Sequence, residues 1–565
     1  MRDHSEVAGA TTWTRRQVLA RAAAAGLSAP FVGGLLAACG GGSASDEPTP
    51  ATGAGGGAST ATTGAGTSSS TQEATGSTSS GSEVDKVVVL QGAEVRFFDP
   101  TQRFSSTDAN PNVNIYETLI RMNAAFELEP LLAVSWESVD ETTWQFKLRD
   151  GVTFHNGEPF NADTVVAWFE RLQTLEDLLP QASSSIDQLP LVHRVEKVDD
   201  LTVNFITTAP DPTLIRRLTT YYTLITPSKI FEEEGPDALA NKGVGTGPYR
   251  FVEWVKDDHV LLEANTDYWG EVPKVKQLEF RPVTEPSSRV ASLLAGEAQI
   301  VDALPLAAIQ QLEANENVEV RSVREATRIY WCQWNATGNE HLKSLQVRQA
   351  LNYAVDKQAI IDSILGGHAE QNASCVTFES FGYADVPEYE YDPEKAKQLL
   401  AEAGYPNGFT ITIEAALGRT TGDTEIVQAL IDYFRDVGVT LELVQHDFAT
   451  YLNLLTQQKI QGLTFGGKTL PALDADYMFT ELQPDKTFGW LFPLQGEAQE
   501  LFEQERVELN ETRRAELAAR IQQWFRDQAG ALFLWQADLL YGVSKSLNWQ
   551  PRGDGLILGA EMSGT

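Results

Sequence analysis

From residue 84 onward the chain changes its hydrophobic rhythm repeatedly, and each change predicts an element. "KVVVLQG" (86–92) is an unbroken apolar, β-branched run, the pattern of a buried strand. "TWQFKLRDGVTFHNG" (143–157) alternates with a period of two around Asp150-Gly151, a strong turn pair, and predicts a hairpin. "NADTVVAWFERLQTL" (161–175) switches to helical spacing: Asn161 is the cap, and Val165, Trp168, Phe169 and Leu172 share a face. "VEKVDDLTVNFIT" (195–207) predicts a second hairpin, and "GTGPYRFVEWVKDDHVLLEANTDYW" (245–269) two strands. "SLQVRQALNYAVDKQAIIDSIL" (344–365) reads as one amphipathic helix. "DPEKAKQLLAEAG" (392–404) reads as another, with Pro393 in its first turn and Gly404 past its end. "FTITIEAAL", "TEIVQALIDYFRDVGV" and "TLELVQH" (409–446) form a strand, helix and strand, which predicts an α/β lobe in the second half.

The first 83 residues follow another logic. "TTWTRRQVLARAAAAGLSAPFVGGLLAACGGG" (11–42) has the positive front, the modest apolar run and the small-residue end of an export signal. The run is short and holds Pro30, which makes it a poor transmembrane helix. Arg15-Arg16 resembles a twin-arginine signal but lacks the usual aromatic at Val18, so the Sec route stays open. Leu36-Ala37-Ala38-Cys39 resembles a bacterial lipobox, which implies cleavage before Cys39 and a lipid thioether on its sulfur. Residues 40–83 are almost entirely Gly, Ser, Thr and Ala, too polar and too small to bury a core. As a random coil such a tether reaches about 35–40 Å.

Charge and composition narrow the function. The 565 residues hold 78 acidic against 43 basic side chains, a net charge of −35, which opposes nucleic-acid binding. Three cysteines are too few for a disulfide framework; Cys332 and Cys375 read as small buried residues, with a pairing left open. None of the seven histidines forms a close zinc pair, and there is no G-x-S-x-G elbow. Paired carboxylates for glycoside hydrolysis depend on spatial separation, so an extracytoplasmic lipoprotein hydrolase stays open as the alternative of another class. Gly462, Gly467, Lys468 and Thr469 match the phosphate-loop pattern letter for letter. Their context does not: the preceding "ATYLNLLTQQKIQ" reads as helix, Pro471 follows closely, and the export signal removes the chain from the ATP pool.

Six motifs in order carry a family resemblance. They are "PLLAVSWESVDETTWQFKLRDGVTFHNGEPFNADTVVAWFERL" (130–172), "GTGPYRFVEW", "EANTDYWG", "LLAGEAQIVD", "VRQALNYAVDKQAII" and "LLAEAGYPNG". Together they resemble the large extracytoplasmic solute-binding proteins of ABC importers, peptide/nickel class, across nearly all of 84–550. The resemblance implies an α/β, two-lobe periplasmic-binding-protein fold of the large class with an inserted subdomain. The implied division is an export signal over 1–39 and a tether over 40–83. Lobe I takes 84–122, 241–330 and 538–565, the inserted subdomain 123–240, and lobe II 331–537. It further implies a monomer, lipid-anchored on the outer face of the cell membrane, that takes a peptide or another small solute and delivers it to an ABC permease. No cofactor, metal or catalytic residue is implied. A nickel chelate, an oligosaccharide or another small organic solute remains open as ligand.

The resemblance also nominates cleft residues. Dipeptide and oligopeptide binders carry a lobe II segment G-W-x-x-D-x-x-[DE] whose Trp packs on the ligand and whose Asp holds the peptide ammonium. An ungapped alignment on Asp474 puts Lys468 at the Trp and Pro471 at the Asp, with Asp474 and Asp476 as substitute carboxylates. "FFDPTQRF" nominates Phe98, Gln102 and Phe104; "YWCQWN" nominates Trp331 and Trp334; "LFLWQADLLYG" nominates Trp535 and Gln536.

Overall fold

The computed structural model describes residues 81–101, 106–178, 186 and 188–565. The signal, Cys39, the tether, Gln102 and Phe104 lie outside the described residues. The apolar run at 86–92 becomes the strand Val84–Gln91, in the middle of a ten-stranded sheet. It runs parallel to Val275–Pro282 on one side and to Ile300–Val301 on the other. Its residues alternate between two cores. Val87 and Val89 pack with Phe98, Tyr249 and Leu278, while Val88 and Leu90 pack with Val290, Leu293 and Leu540. Being covered on both faces explains the unbroken apolar run.

The inserted subdomain is a four-stranded antiparallel sheet ordered Ala133–Asp140, Thr143–Leu148, Thr202–Thr207, Val192–Asp199. Helix Ala162–Leu178 covers it, with the Asn161 side chain accepting from Thr164 N at 3.2 Å and Val165, Trp168, Phe169 and Leu172 all buried. The hairpin expected around Asp150-Gly151 does not form. Thr143–Leu148 spends both edges on Ala133–Asp140 and Thr202–Thr207, and residues 152–160 turn back on themselves through Phe154 N to Glu158 O. The seams differ from the sequence division. Leu119 and Ile120 join the subdomain core, whereas Leu224, Ile230 and Leu239 pack under the large sheet.

Lobe II contains the predicted parallel unit: Phe409–Ala415, helix Asp423–Asp436 and Val439–Gln445, with Leu463–Thr464 as third strand. The single helix expected over 344–365 is two, Leu345–Tyr353 and Lys357–Ile364, because the Asp356 side chain caps the second by accepting from Ala359 N. Cys332 and Cys375 are free, buried thiols. The phosphate-loop match is strand: Gly466–Thr469 pairs with Arg328–Gln333, and the next helix begins only at Ala475.

Two adjacent crossovers join the lobes. The chain leaves lobe I from Val318–Arg324 and enters lobe II at Arg328–Gln333. It returns along Ala531–Ser544, whose first half pairs with Arg328–Gln333 and Ala369–Gln371 and whose second half pairs with Val318–Arg324. Glu325 N to Ala537 O at 2.9 Å and Gln536 Nε2 to Glu325 O at 2.9 Å tie the crossovers together.

The turn at Gly245-Thr246-Gly247 lies against the backbone of Ile115; a Cβ would stand 2.0 Å from Ile115 O at Gly245 and 2.6 Å at Gly247. Neither position has room for a methyl group. Gly245→Ala is expected to destabilise the protein by about 1–3 kcal/mol, the cost of overpacking, read as a lower denaturant midpoint with unchanged slope. An unchanged midpoint contradicts the assignment of this turn to scaffold.

Candidate functional site

A cavity of about 830 Å³ lies between the lobes. Lobe I contributes Glu117 and Asp302, the inserted subdomain Tyr221 and Tyr222, lobe II Arg419 and Pro471, and the returning strand Trp535 and Tyr541. Three non-glycine residues with left-handed backbone line it: Phe126 (φ 62°), Ala303 (φ 46°) and Leu473 (φ 48°). Such strain persists only where surrounding structure enforces it, and it gathers at ligand clamps.

Of the residues nominated from sequence, Trp535 lines the cavity, and so does Pro471. The other nominees among the described residues have other partners. Phe98 sits edge-on to Phe251 (4.9 Å) and Trp254 (5.4 Å) in the lobe I core. Trp331 packs 5.9 Å from Phe525, and Trp334 donates its indole N–H to Ala529 O at 2.8 Å, both in the lobe II core. Gln536 clamps the crossover, accepting from Phe378 N and donating to Glu325 O and to a Glu379 oxygen. Lys468 pairs with Glu481 and lies 4.3 Å from the Phe488 ring, so its charge is spent away from the cavity.

Asp474 and Asp476 are not free carboxylates. Asp474 caps helix Ala475–Glu481 and takes a two-pronged ion pair from Arg514, which also lies 2.8 Å from Glu505. Asp476 lies 2.9 Å from Arg217, and Arg216 stands 3.9 Å from Asp474. Both arginines belong to the inserted subdomain, so the cluster bridges the lobes, with Arg217, Asp474, Asp476 and Arg514 buried. Burial pushes the Asp476 and Glu505 carboxyls up against the pull of Arg217 and Arg514.

Sequence reasoning missed the charges that do line the cavity. Most are paired: Arg328 with Glu325 at 3.3 Å, His368 with Asp538 at 3.3 Å, Arg121 with Glu129 at 2.9 Å, Arg552 with Asp554 and Glu561. Glu117 accepts from Tyr268, Thr246 and Trp269. Arg419 forms no ion pair with a described carboxylate; it lies over the Phe448 ring, and burial and the charge of Arg328 lower its pKa. Asp302 accepts one hydrogen bond, from Gly92 N at 3.1 Å, and burial pushes its carboxyl up to about 6 against Arg289 and that bond. Arg419 was findable: it follows the strand of a predicted β-α-β unit, and ligands of open α/β sheets bind beyond the carboxyl ends of strands.

The Arg217–Asp476 pair makes closure electrostatic as well as steric. Breaking a buried pair on one side costs about 3–5 kcal/mol if the remaining charge stays buried, and here it escapes by opening the lobes. Asp476→Asn is expected to raise the radius of gyration in small-angle scattering, and Arg217→Met with Asp476→Leu to restore the compact value. A compact Asp476→Asn protein rules out this role.

Comparison with known proteins agrees with this geometry. The profile of the bacterial extracellular solute-binding proteins, family 5 (middle region), matches residues 127–489. The glutathione-binding protein GsiB of Pectobacterium atrosepticum is 30% identical over 363 residues, 64% of this chain and 69% of that protein. The dipeptide-binding protein of Escherichia coli is 29% identical over 490 residues, 80% of this chain and 89% of that protein. The structure of HbpA2 from Haemophilus parasuis superposes with a TM-score of 0.75 at 25% identity, covering 85% of this chain and 100% of the other. A two-lobed fold, an inter-lobe cavity and a profile match over most of the folded region together assign the chain: it belongs to the bacterial extracellular solute-binding proteins, family 5.

Proposed function

We propose that this protein captures a small peptide between its lobes outside the cytoplasm and delivers it to an ABC permease, while a lipid on Cys39 holds it at the membrane. The observation that carries the peptide reading is Arg419, an exposed residue that lines a cavity of about 830 Å³ and forms no ion pair with a described carboxylate. That volume falls within the roughly 300–1,000 Å³ of small-ligand sites. A guanidinium reads a carboxylate through two parallel hydrogen bonds, and a peptide ends in one. Hydroxyls of Thr327, Thr421 and Thr469 in the wall suit amide groups. The relatives named for glutathione and for dipeptides, both peptides, support the same class.

Capture follows from the hinge. The open and closed forms differ in how many inter-lobe contacts are made, and a ligand shifts the balance only by touching both walls at once. The tether, of about 35–40 Å reach, keeps the domain close to a permease without fixing its orientation.

Native mass spectrometry of the full-length protein in detergent tests the ligand class, followed by calorimetry with alanine peptides of two to four residues. Peptides with a free carboxylate are expected to bind, and Arg419→Gln to weaken them by about 1.5–3 kcal/mol, the worth of a charge-assisted hydrogen bond. C-terminal amides are expected to bind weakly and to be indifferent to that substitution. A co-purified sugar, with no peptide binding, sinks the peptide reading.

The tether has its own readout. Cys39→Ala is expected to move the protein from the membrane to the soluble fraction, apart from uncleaved precursor, and to abolish lipid labelling. Unchanged, lipid-labelled membrane association in the variant excludes Cys39 as the anchor.

A further inference from the structure

We propose that Asp302 is the cation reader of the cleft, so that the ligand carries a protonated amine held by lobe I as well as an anionic group held by lobe II. The inference deepens the proposed function and rests on the inter-lobe cavity being the ligand site. It begins from a deficit. Pro471, on the lobe II wall of the cavity, offers no polar side-chain group. The two nearby carboxylates are consumed by Arg514 and Arg217. A cleft that buries an ammonium without a carboxylate is costly, so either the ligand has no cation or another carboxylate receives it.

Among the described residues of the cavity wall, one carboxylate has no side-chain partner. Glu129, Glu325, Asp554 and Glu561 each have an arginine partner, and Asp538 lies 3.3 Å from the His368 ring nitrogen. Both oxygens of Glu117 are taken by neutral donors: Tyr268 on one, Thr246 and Trp269 on the other. Asp302 is different. Its Oδ1 accepts from Gly92 N, and its Oδ2 has no hydrogen-bond partner among the described residues. Oδ2 is also not among the described polar atoms sealed from solvent without a partner. In a residue that lines the cavity, that leaves Oδ2 open to it.

Local structure holds the carboxylate in place. Asp302 follows the short strand Ile300–Val301, and its own N–H donates to Leu90 O at 3.1 Å, so backbone and side chain both tie it to the end of Val84–Gln91. Ala303, in left-handed conformation, turns the chain away directly after it. Arg289 is near enough for its charge to lower the Asp302 pKa but makes no contact ion pair with it among the described residues: its guanidinium donates to the carbonyls of Val283, Thr284 and Ala303. Asp302 and Arg419 therefore present opposite, uncommitted charges from opposite lobes, and a ligand that carries both signs bridges them when the lobes close.

Asp302→Asn separates the two roles of this side chain, because its Oδ1 still accepts from Gly92 N while the charge is gone. The probes are tri-alanine with its N-acetyl form, and 6-aminohexanoate with hexanoate, each titrated by calorimetry at pH 7.5 into full-length wild type, Asp302→Asn and Arg419→Gln. The wild type is expected to prefer the amine-bearing member of a pair by about tenfold or more, the scale of a charge-assisted hydrogen bond. Asp302→Asn is expected to bring that preference close to one without weakening the blocked member, and Arg419→Gln to weaken both members alike. If neither alanine peptide binds, the peptide reading fails, and the aminohexanoate pair still decides on Asp302. A preference that survives in Asp302→Asn, or equal binding or no binding of both members in both pairs to the wild type, overturns the assignment. Matching thermal unfolding of wild type and variant shows that the comparison is between folded proteins.

Discussion

The fourteen residues of Ala531–Ser544 hydrogen-bond to lobe II with their first half and to lobe I with their second. At about 3.3 Å per residue this strand is long enough to belong to both lobes without a linker. Much of the remaining architecture follows. Each lobe completes its sheet on the same backbone, the second crossover at 325–327 lies against the first, and the cavity opens beside the junction, where Trp535 and the segment from Ala537 to Tyr541 form its wall. A hinge made from a continuous strand bends by small changes spread over a few residues, and this keeps the two walls of the cavity in register when they separate.

Both uncommitted charges occupy the same kind of place. Asp302 follows Ile300–Val301 and Arg419 follows Phe409–Ala415, and each of those strands runs parallel to a neighbour. Parallel strands bring their carboxyl ends, and the loops after them, to one edge of the sheet. Two lobes that face each other along such edges need only short loops to present polar groups to a shared space. The apolar interior of each lobe is thus kept apart from the chemistry of the cleft.

How far the sequence was legible follows from the range of each signal. The Asn161 cap, the helix with Pro393 in its first turn, the buried strand at 86–92 and the parallel unit at 409–446 depend on neighbours a few residues away, and they appear as read. The Asp150-Gly151 hairpin failed because strand partners are chosen over long range: Thr143–Leu148 pairs with a strand near residue 205. Phe98, Trp331 and Trp334 failed for a geometric reason. Neighbouring residues of a strand point to opposite faces, so Tyr330 lines the cavity while Trp331 packs on Phe525, and no hydrophobic pattern records which face meets the cleft. Lys468, Asp474 and Asp476 looked available because their partners, Glu481, Arg514 and Arg217, lie 13, 40 and 259 positions away.

The buried bridge between Arg217 and Asp476 also acts as a gauge. Charges of this kind gain from one another only at contact distance, and a gap of a few ångströms leaves each of them partly dehydrated and unpaired. A molecule slightly too large for the cavity props the lobes apart by just such a gap and forfeits the bridge, whatever contacts it makes elsewhere. One slightly too small lets the bridge form but leaves the strained walls around Ala303 and Leu473 without a surface to press on. The pair thus converts the thickness of the guest into an electrostatic signal some distance from the guest itself, much as caliper jaws report a width at the far end of the scale.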